Sequence, residues 1–309
     1  MKLLIHDTDL LREYVTIGDL HYSSIAPHLR QAQLFVGRFV GWGLIDTLAT
    51  AFKQASHTKS DLSEANQQLL DYVCVPIANM ALLTYAKAVN VNIGDFGVSR
   101  NTTDTAKDAF EWQFKDVTAQ YRQLAWDGLE QLLQFLESNI ATYSEYGNGM
   151  HFREASKYLI HSAQLFSEYF FIRESRLIFW SLWPSLKTAE KTIIRPALGD
   201  NWAALQGNDL SVSQELQLDM IRRALAYATM AQALEDRIVD VNEQGVQVLG
   251  WADTVEYRTE ASDERITRAI ASHRSKTKQF IELYKKAATP TTPDAPTGHR
   301  PTGDAIVFF

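Results

Sequence analysis

Histidine and glutamate recur together in this chain at a fixed distance. His6 is followed seven residues later by Glu13, and His161 by Glu168. An imidazole and a carboxylate can divide general acid and base work, or begin a metal site. Neither pair has a third ligand at workable spacing, and each stands at the start of a longer segment. A structural role, such as a helix cap or a helix-end hydrogen bond, is therefore the reading the spacing favours. The single cysteine, Cys74, lies among apolar residues and reads as a buried structural thiol instead of a catalytic thiolate.

Gly94-Asp95-Phe96-Gly97 contains an Asp-Phe-Gly triplet that elsewhere holds a metal in phosphoryl transfer. Here no glycine-rich loop, no Val-Ala-Ile-Lys-like strand and no His-Arg-Asp loop precedes it, so the match is accidental. Gly37, Gly41 and Gly43 have neither phosphate-loop nor dinucleotide-fingerprint spacing. Trp180, Trp183, Trp202 and Trp251 could stack on a ligand, but packing in a core or interface is the commoner use of such residues. No cofactor, no metal and no catalytic residues are expected, and the chain does not read as an enzyme.

The elements that carry these residues occur twice. Val91-Asn92-Ile93-Gly94-Asp95-Phe96-Gly97-Val98 returns as Val239-Asp240-Val241-Asn242-Glu243-Gln244-Gly245-Val246, at an offset of 148 (245 − 97). Leu4-Ile5-His6 returns as Leu159-Ile160-His161, at an offset of 155 (161 − 6). Ile25, Leu29, Ala32, Val36 and Phe39 step by three and four, the period of an amphipathic helix. Leu182, Leu186, Ala189 and Ile193 repeat that pattern at an offset of 157 (189 − 32). Pro27 and Pro184 read as first-turn prolines of these helices, and Gly41, Gly43 and Gly199 as their closing glycines. The polar stretch 55–66 is longer than its counterpart around 207–214, which accounts for the fall in offset from 157 to 148.

Beyond it, Leu70, Val73, Ile77 and Ala81 match Leu218, Ile221, Leu225 and Thr229 without a gap. Pro76 interrupts the first of these helices, so a kink or a late start is expected. The repeated octapeptide alternates apolar and polar residues around a glycine and reads as a small β-hairpin, with an extended loop as the alternative. Long helices follow. Phe110, Phe114, Val117, Tyr121, Leu124, Leu132 and Phe135 form one apolar stripe. The counterpart, with Arg265, Arg268, His273 and Arg274, is more polar. Tyr146-Gly147-Asn148-Gly149 reads as the junction between copies.

The expected fold is mainly α: two tandem homologous helical-bundle domains, 1–147 and 148–288, each with a small β-hairpin. Residues 289–309 form a Pro/Thr-rich linker and an extended, apolar C-terminal arm ending Ile306-Val307-Phe308-Phe309, a segment suited to pairing with a sheet edge.

Composition narrows the function. Apolar residues are 46% and charged residues 22% of 309, a globular composition. The net charge of −7, without long basic runs, argues against tight sequence-independent binding to phosphate backbones. The opening Met1-Lys2-Leu3-Leu4-Ile5 meets His6 and Asp7 at once and lacks the form of a signal peptide. The apolar run 177–183 is far short of the ~20 residues of a membrane span, so no membrane partner is expected.

The opening Lys2-Leu3-Leu4-Ile5 followed by Leu10, the segment Val91-Asn92-Ile93 to Gly97-Val98, the helix end Gly128-Leu129…Leu132-Leu133…Phe135-Leu136-Glu137 and the terminus Ile306-Val307-Phe308 carry a resemblance. Over essentially its whole length the chain resembles an uncharacterised family of Bacteroidetes genomes and their phages, encoded among virion structural genes. Each half also resembles the helical head–tail connector (adaptor) proteins of long-tailed phages. The resemblance implies a structural neck protein of the virion, made in the host bacterial cytoplasm. It would form a homo-oligomeric ring, a dodecamer in the connector family, beneath the portal protein and against tail or other neck proteins. DNA would pass its lumen during genome packaging without specific binding. Val91, Ile93, Phe96, Val239, Val241, Ile306, Val307, Phe308 and Phe309 are the expected subunit-interface residues. The rival reading is a host-encoded helical scaffold that binds a protein or peptide between its two halves.

Overall fold

The chain is mainly helical and consists of two tandem, homologous helical bundles. The structure, a computed structural model, describes residues 2–89, 91–94, 97–100, 111–149, 154–207, 209–236, 239–242, 245–248 and 263–288. Two compact units result. The first comprises Met1–Lys157 with Ser175–Leu177, the second Tyr158–Glu174 with Ile178–Phe309. The division falls after Lys157, later than the junction read at 147, because Tyr146 is buried in the first unit and residues 144–147 form a short helix there.

In the first unit, α1 (Thr8–Tyr14) is started by Asp7, whose carboxylate accepts the Leu10 N–H at 2.7 Å. Then come α2 (Tyr22–Val40), α3 (Trp42–Gln54) and α4 (Glu64–Val89). The paired strands β1 (Val91–Gly94) and β2 (Gly97–Arg100) follow, then α5 (Glu111–Ser138) and α6 (Ser144–Gly147). The core helix is α4, whose central stretch buries apolar residues on several sides because it packs against α1, α2, α3 and α5. Leu70, Val73, Cys74, Ile77, Ala78 and Ala81 along it are wholly buried. It is long and apolar enough to cross a membrane by composition, but 61% of that stretch is buried inside the bundle, as a core helix requires.

Pro76 does not delay α4, which runs unbroken from Glu64 to Val89. Its ring lies against Gly128 of α5, where the two helices come close. A Cβ on Gly128 would stand 2.8 Å from Val75 Cγ1 and 3.3 Å from the Pro76 ring. Gly128→Ala is therefore expected to force α4 and α5 apart and to lower stability by about 1–3 kcal/mol. Urea titration would show it; an unchanged midpoint would mean that the helices separate freely.

The second unit repeats the plan. Its helices are α7 (Ala163–Tyr169), α8 (Arg176–Ala189), α9 (Arg195–Leu198), α10 (Asn201–Ala204) and α11 (Val212–Asp236). Strands β3 (Val239–Asn242) and β4 (Gly245–Val248) and helix α12 (Asp263–Ala288) complete it. Ser162 starts α7 as Asp7 starts α1, its hydroxyl accepting the Leu165 N–H at 3.1 Å. One π-helical stretch, Glu190–Ile194, joins α8 to α9 without a break. The pairing register is the same in both strand pairs: Val91 faces Arg100 and Ile93 faces Val98, while Val239 faces Val248 and Val241 faces Val246.

Two local expectations are corrected. Pro27 and Pro184 lie inside α2 and α8, not in their first turns, because both helices begin earlier. The α2 start is held by the Tyr22 hydroxyl, which donates to the Ile5 carbonyl at 3.0 Å. The length difference between the copies lies in a helix as much as in a loop. The 13-residue α3, which buries Leu44, Ile45, Leu48 and Phe52, corresponds to the 4-residue α10. Gly41 (φ 93°) and Gly199 (φ 54°) do close the α2 and α9 ends, in backbone conformations that favour glycine, whereas Gly43 closes no helix and lies in the first turn of α3.

Candidate functional site

The most unusual chemistry in the chain is a buried polar contact made once in each unit. In the first, Gln33 in the middle of α2 is fully buried. Its Oε1 accepts the Leu4 N–H at 2.9 Å and its Nε2 donates to the Lys2 carbonyl at 2.8 Å. In the second, Glu190 in the π-helical stretch is fully buried, and its Oε2 accepts the Leu159 N–H at 2.9 Å. Leu4 and Leu159 are 155 residues apart, Gln33 and Glu190 157, the same offsets that register the copies. Each unit thus latches its N-terminal segment by one side chain bonded to backbone, from α2 in the first and from the π-helical stretch after α8 in the second.

The latches differ in charge. Gln33 satisfies a donor and an acceptor by itself. Glu190 accepts only, so arginines do the rest: Arg195 Nη2 donates to Glu190 Oε1 at 3.1 Å, and Arg222 Nε donates to the Leu159 carbonyl at 3.0 Å. The Arg195 guanidinium lies 4.3 Å from the centre of the Trp202 ring, close enough for a cation–π contact. Burial pushes the Glu190 carboxyl above the ordinary carboxylate range, opposed by the Leu159 N–H and Arg195. A buried carboxylate with a raised pKa in a cleft would suggest a general acid. Here both of its oxygens are engaged in bonds that hold the chain together, so the arrangement acts as a structural latch.

A second pair also recurs. Tyr14 donates its hydroxyl to Asp71 Oδ1 at 3.1 Å, and burial pushes its phenol far up. At the equivalent places stand Tyr169 and Asp219, with the Tyr169 phenol likewise raised, first by burial and then by Asp219.

The histidine–glutamate pairs dissolve. Glu13 and Glu168 are exposed. His6 turns to Asp7, with Nε2 2.9 Å from Oδ2, and its ring stacks on His57 at 4.2 Å. The caps of α1 and α7 are the next residues along, Asp7 and Ser162. Among the described residues no group of three His, Cys, Asp or Glu side chains is placed to hold a metal ion. Cys74 is fully buried, and burial pushes its thiol far above the ordinary range, which makes it inert. Trp183 packs against the core of the second unit and Trp202 lies under Arg195; Trp251 is outside the described residues.

Of the expected interface residues, Val91, Ile93, Val239 and Val241 lie on β1 and β3. Phe96, Ile306, Val307, Phe308 and Phe309 fall outside the described residues, as does the whole arm 289–309. Apolar spacing does not signal Gln33 or Glu190, although each directly follows an alanine of the repeat, Ala32 and Ala189. The available signal was a polar residue at the same place in two apolar helical stripes.

The family model described as a family of unknown function, DUF6712, matches residues 38–169 and 191–286. No curated protein and no solved structure matches the chain.

Proposed function

The chain belongs to the DUF6712 family, and from that premise we propose that it is a structural assembly component, a head–tail connector of a phage or prophage. The observation that carries this reading is the duplicated strand pair. Among the described residues each sheet has two strands only. One edge of each strand thus has no partner among the described residues, and its backbone N–H and C=O groups suit pairing with another chain. Two such edges, in identical register and directly after the core helix of each unit, suit a subunit that repeats one contact around an axis.

In this proposal Val91, Ile93, Phe96, Val239 and Val241 take part in subunit contacts. The arm Ile306 to Phe309 adds as a strand to a neighbour. One face of the ring meets the portal protein and the other the tail or further neck proteins, with DNA passing through the lumen. Negative-stain electron microscopy of the purified chain, alone and with a portal protein from the same genome, tests the proposal. Rings seated on the portal are the expected result. A chain that neither closes into rings nor binds the portal would sink it, and would favour the scaffold reading.

A further inference from the structure

Homologous helices in the two units have diverged on their outer faces. On α5, Trp112 is 62% exposed, Val117 43%, Leu124 42% and Trp126 39%. Trp126 packs edge-on against Phe35 and Phe39 of α2, whereas Trp112, Val117 and Leu124 point away from the face that buries Leu129, Leu132, Leu133 and Leu136. At the offset of 148, Val117, Leu124 and Trp126 correspond to Arg265, Ser272 and Arg274 of α12. The second copy thus keeps an inward face, with Thr277 and Tyr284 buried, and carries an arginine and a serine where α5 exposes Val117 and Leu124.

The two faces complement one another chemically. The outer face of α5 offers the Trp112 indole and the aliphatic groups of Val117 and Leu124 beside the exposed carboxylates of Asp116 and Asp127. The matching half of α12 offers Arg265 and Arg268, whose guanidinium planes stack on aromatic faces and pair with carboxylates, while Arg274 is already paired with Glu235 of α11. Tryptophan and arginine are the residue types that anchor protein interfaces. A polyphosphate partner suits α12 less well. Its cations are interleaved with Glu264 and Glu282, which pair with Arg268 and Lys285, and the chain as a whole carries −7.

We propose that the outer face of α5 in one copy of this chain docks on the outer face of α12 in the next. The contact is heterologous, one surface of the first unit against a different surface of the second, and so propagates head to tail. It rests on the assembly reading above and names a surface for it.

Sedimentation velocity over a range of concentrations tests the contact with two double variants. Val117→Arg with Leu124→Ser gives α5 the residues α12 carries at the same helical positions, so folding is expected to survive. Arg265→Glu with Arg268→Glu reverses the surface charge of α12. Each variant alone is expected to lose self-association at least tenfold, with an unchanged circular dichroism spectrum. A one-to-one mixture of the two should form dimers and nothing larger, because one good face of each kind remains. Self-association by the α12 variant alone would indicate an α5-to-α5 contact and overturn the proposal. So would a wild-type chain that stays monomeric at high micromolar concentration, or an α12 variant that assembles normally but loses duplex DNA binding. Rings that survive both variants would overturn this contact and leave the connector reading standing. Head-to-tail assembly without portal binding would do the reverse.

Discussion

Glu190→Ala is expected to lower the stability of the second unit by about 3–5 kcal/mol, the usual cost of removing one partner from a buried charged pair. The substitution strands the Leu159 N–H in the core, takes the carboxylate from Arg195 and leaves a cavity in the π-helical stretch. The Arg195 side chain is 38% exposed and can rehydrate, which favours the lower end of the range. Glu190→Gln should cost far less, since an amide oxygen can still accept from Leu159, as Gln33 accepts from Leu4 in the first unit. Urea unfolding followed by hydrogen exchange at the Leu159 amide separates the two variants. Equal losses for Ala and Gln would mean that the ion pair, not the latch, supplies the stability.

The pH dependence has a definite sign. Burial raises the folded-state pKa of Glu190 above its unfolded value, so the folded chain binds this proton more tightly than the unfolded one. The resulting stabilisation is fully present below the unfolded pKa and is lost as pH rises through the folded one. Wild type should therefore gain stability relative to Glu190→Gln as pH falls through that window, and the difference should be flat above it. Taking the difference removes the titration of the other carboxylates. A difference of opposite sign would show that Arg195 holds the carboxylate ionised against the cost of burial.

Much of this architecture was legible because it is local or repeated. The three- and four-residue steps from Ile25 to Val36 and from Leu182 to Ala189 mark real buried faces, since a helix that packs on one side must place apolar residues at that period. The period fails at Ile193, where the π-helical stretch buries Ile194 instead, and in α5, where Val117 and Leu124 are exposed while Leu132 is buried. Duplication added a second reading of each element, which is why the two units could be registered from short strings. The latches were hidden for a physical reason. Gln33 bonds to backbone 29 residues away and Glu190 to backbone 31 residues away, and a hydrogen bond to a main-chain N–H leaves no mark on the residue that donates it. Proline misled for a related reason. The starts of α2 and α8 are set by tertiary partners, the Ile5 carbonyl and Glu130, which local spacing around Pro27 and Pro184 does not register.

Glu130 is the second residue whose loss should be severe, at about 2–4 kcal/mol for Glu130→Ala. Ser175–Leu177 belong to the first unit, and this carboxylate of α5 holds them there. It accepts the Arg176 N–H at 2.7 Å, the Ser175 hydroxyl at 2.8 Å and the Leu177 N–H at 3.2 Å. A side chain from another helix thus fills the place of an N-cap, which alone stabilises by about 1 kcal/mol. Its bonds carry charge, and such bonds contribute about 1.5–3 kcal/mol. Glu137 bonds Arg176 Nε at 2.8 Å and remains in place, so the arginine, 11% exposed, keeps one partner. Glu137→Ala should accordingly cost less than Glu130→Ala. Glutamine is not a conservative replacement here, in contrast to position 190. Three donors converge on the Glu130 oxygens, and an amide would turn its own N–H groups toward at least one of them. Glu130→Gln is therefore expected to destabilise nearly as much as alanine and to open the bond after Arg176 to trypsin. If Glu130→Gln resists trypsin and unfolds at the wild-type urea concentration, the convergence of donors on this carboxylate is not what holds the segment.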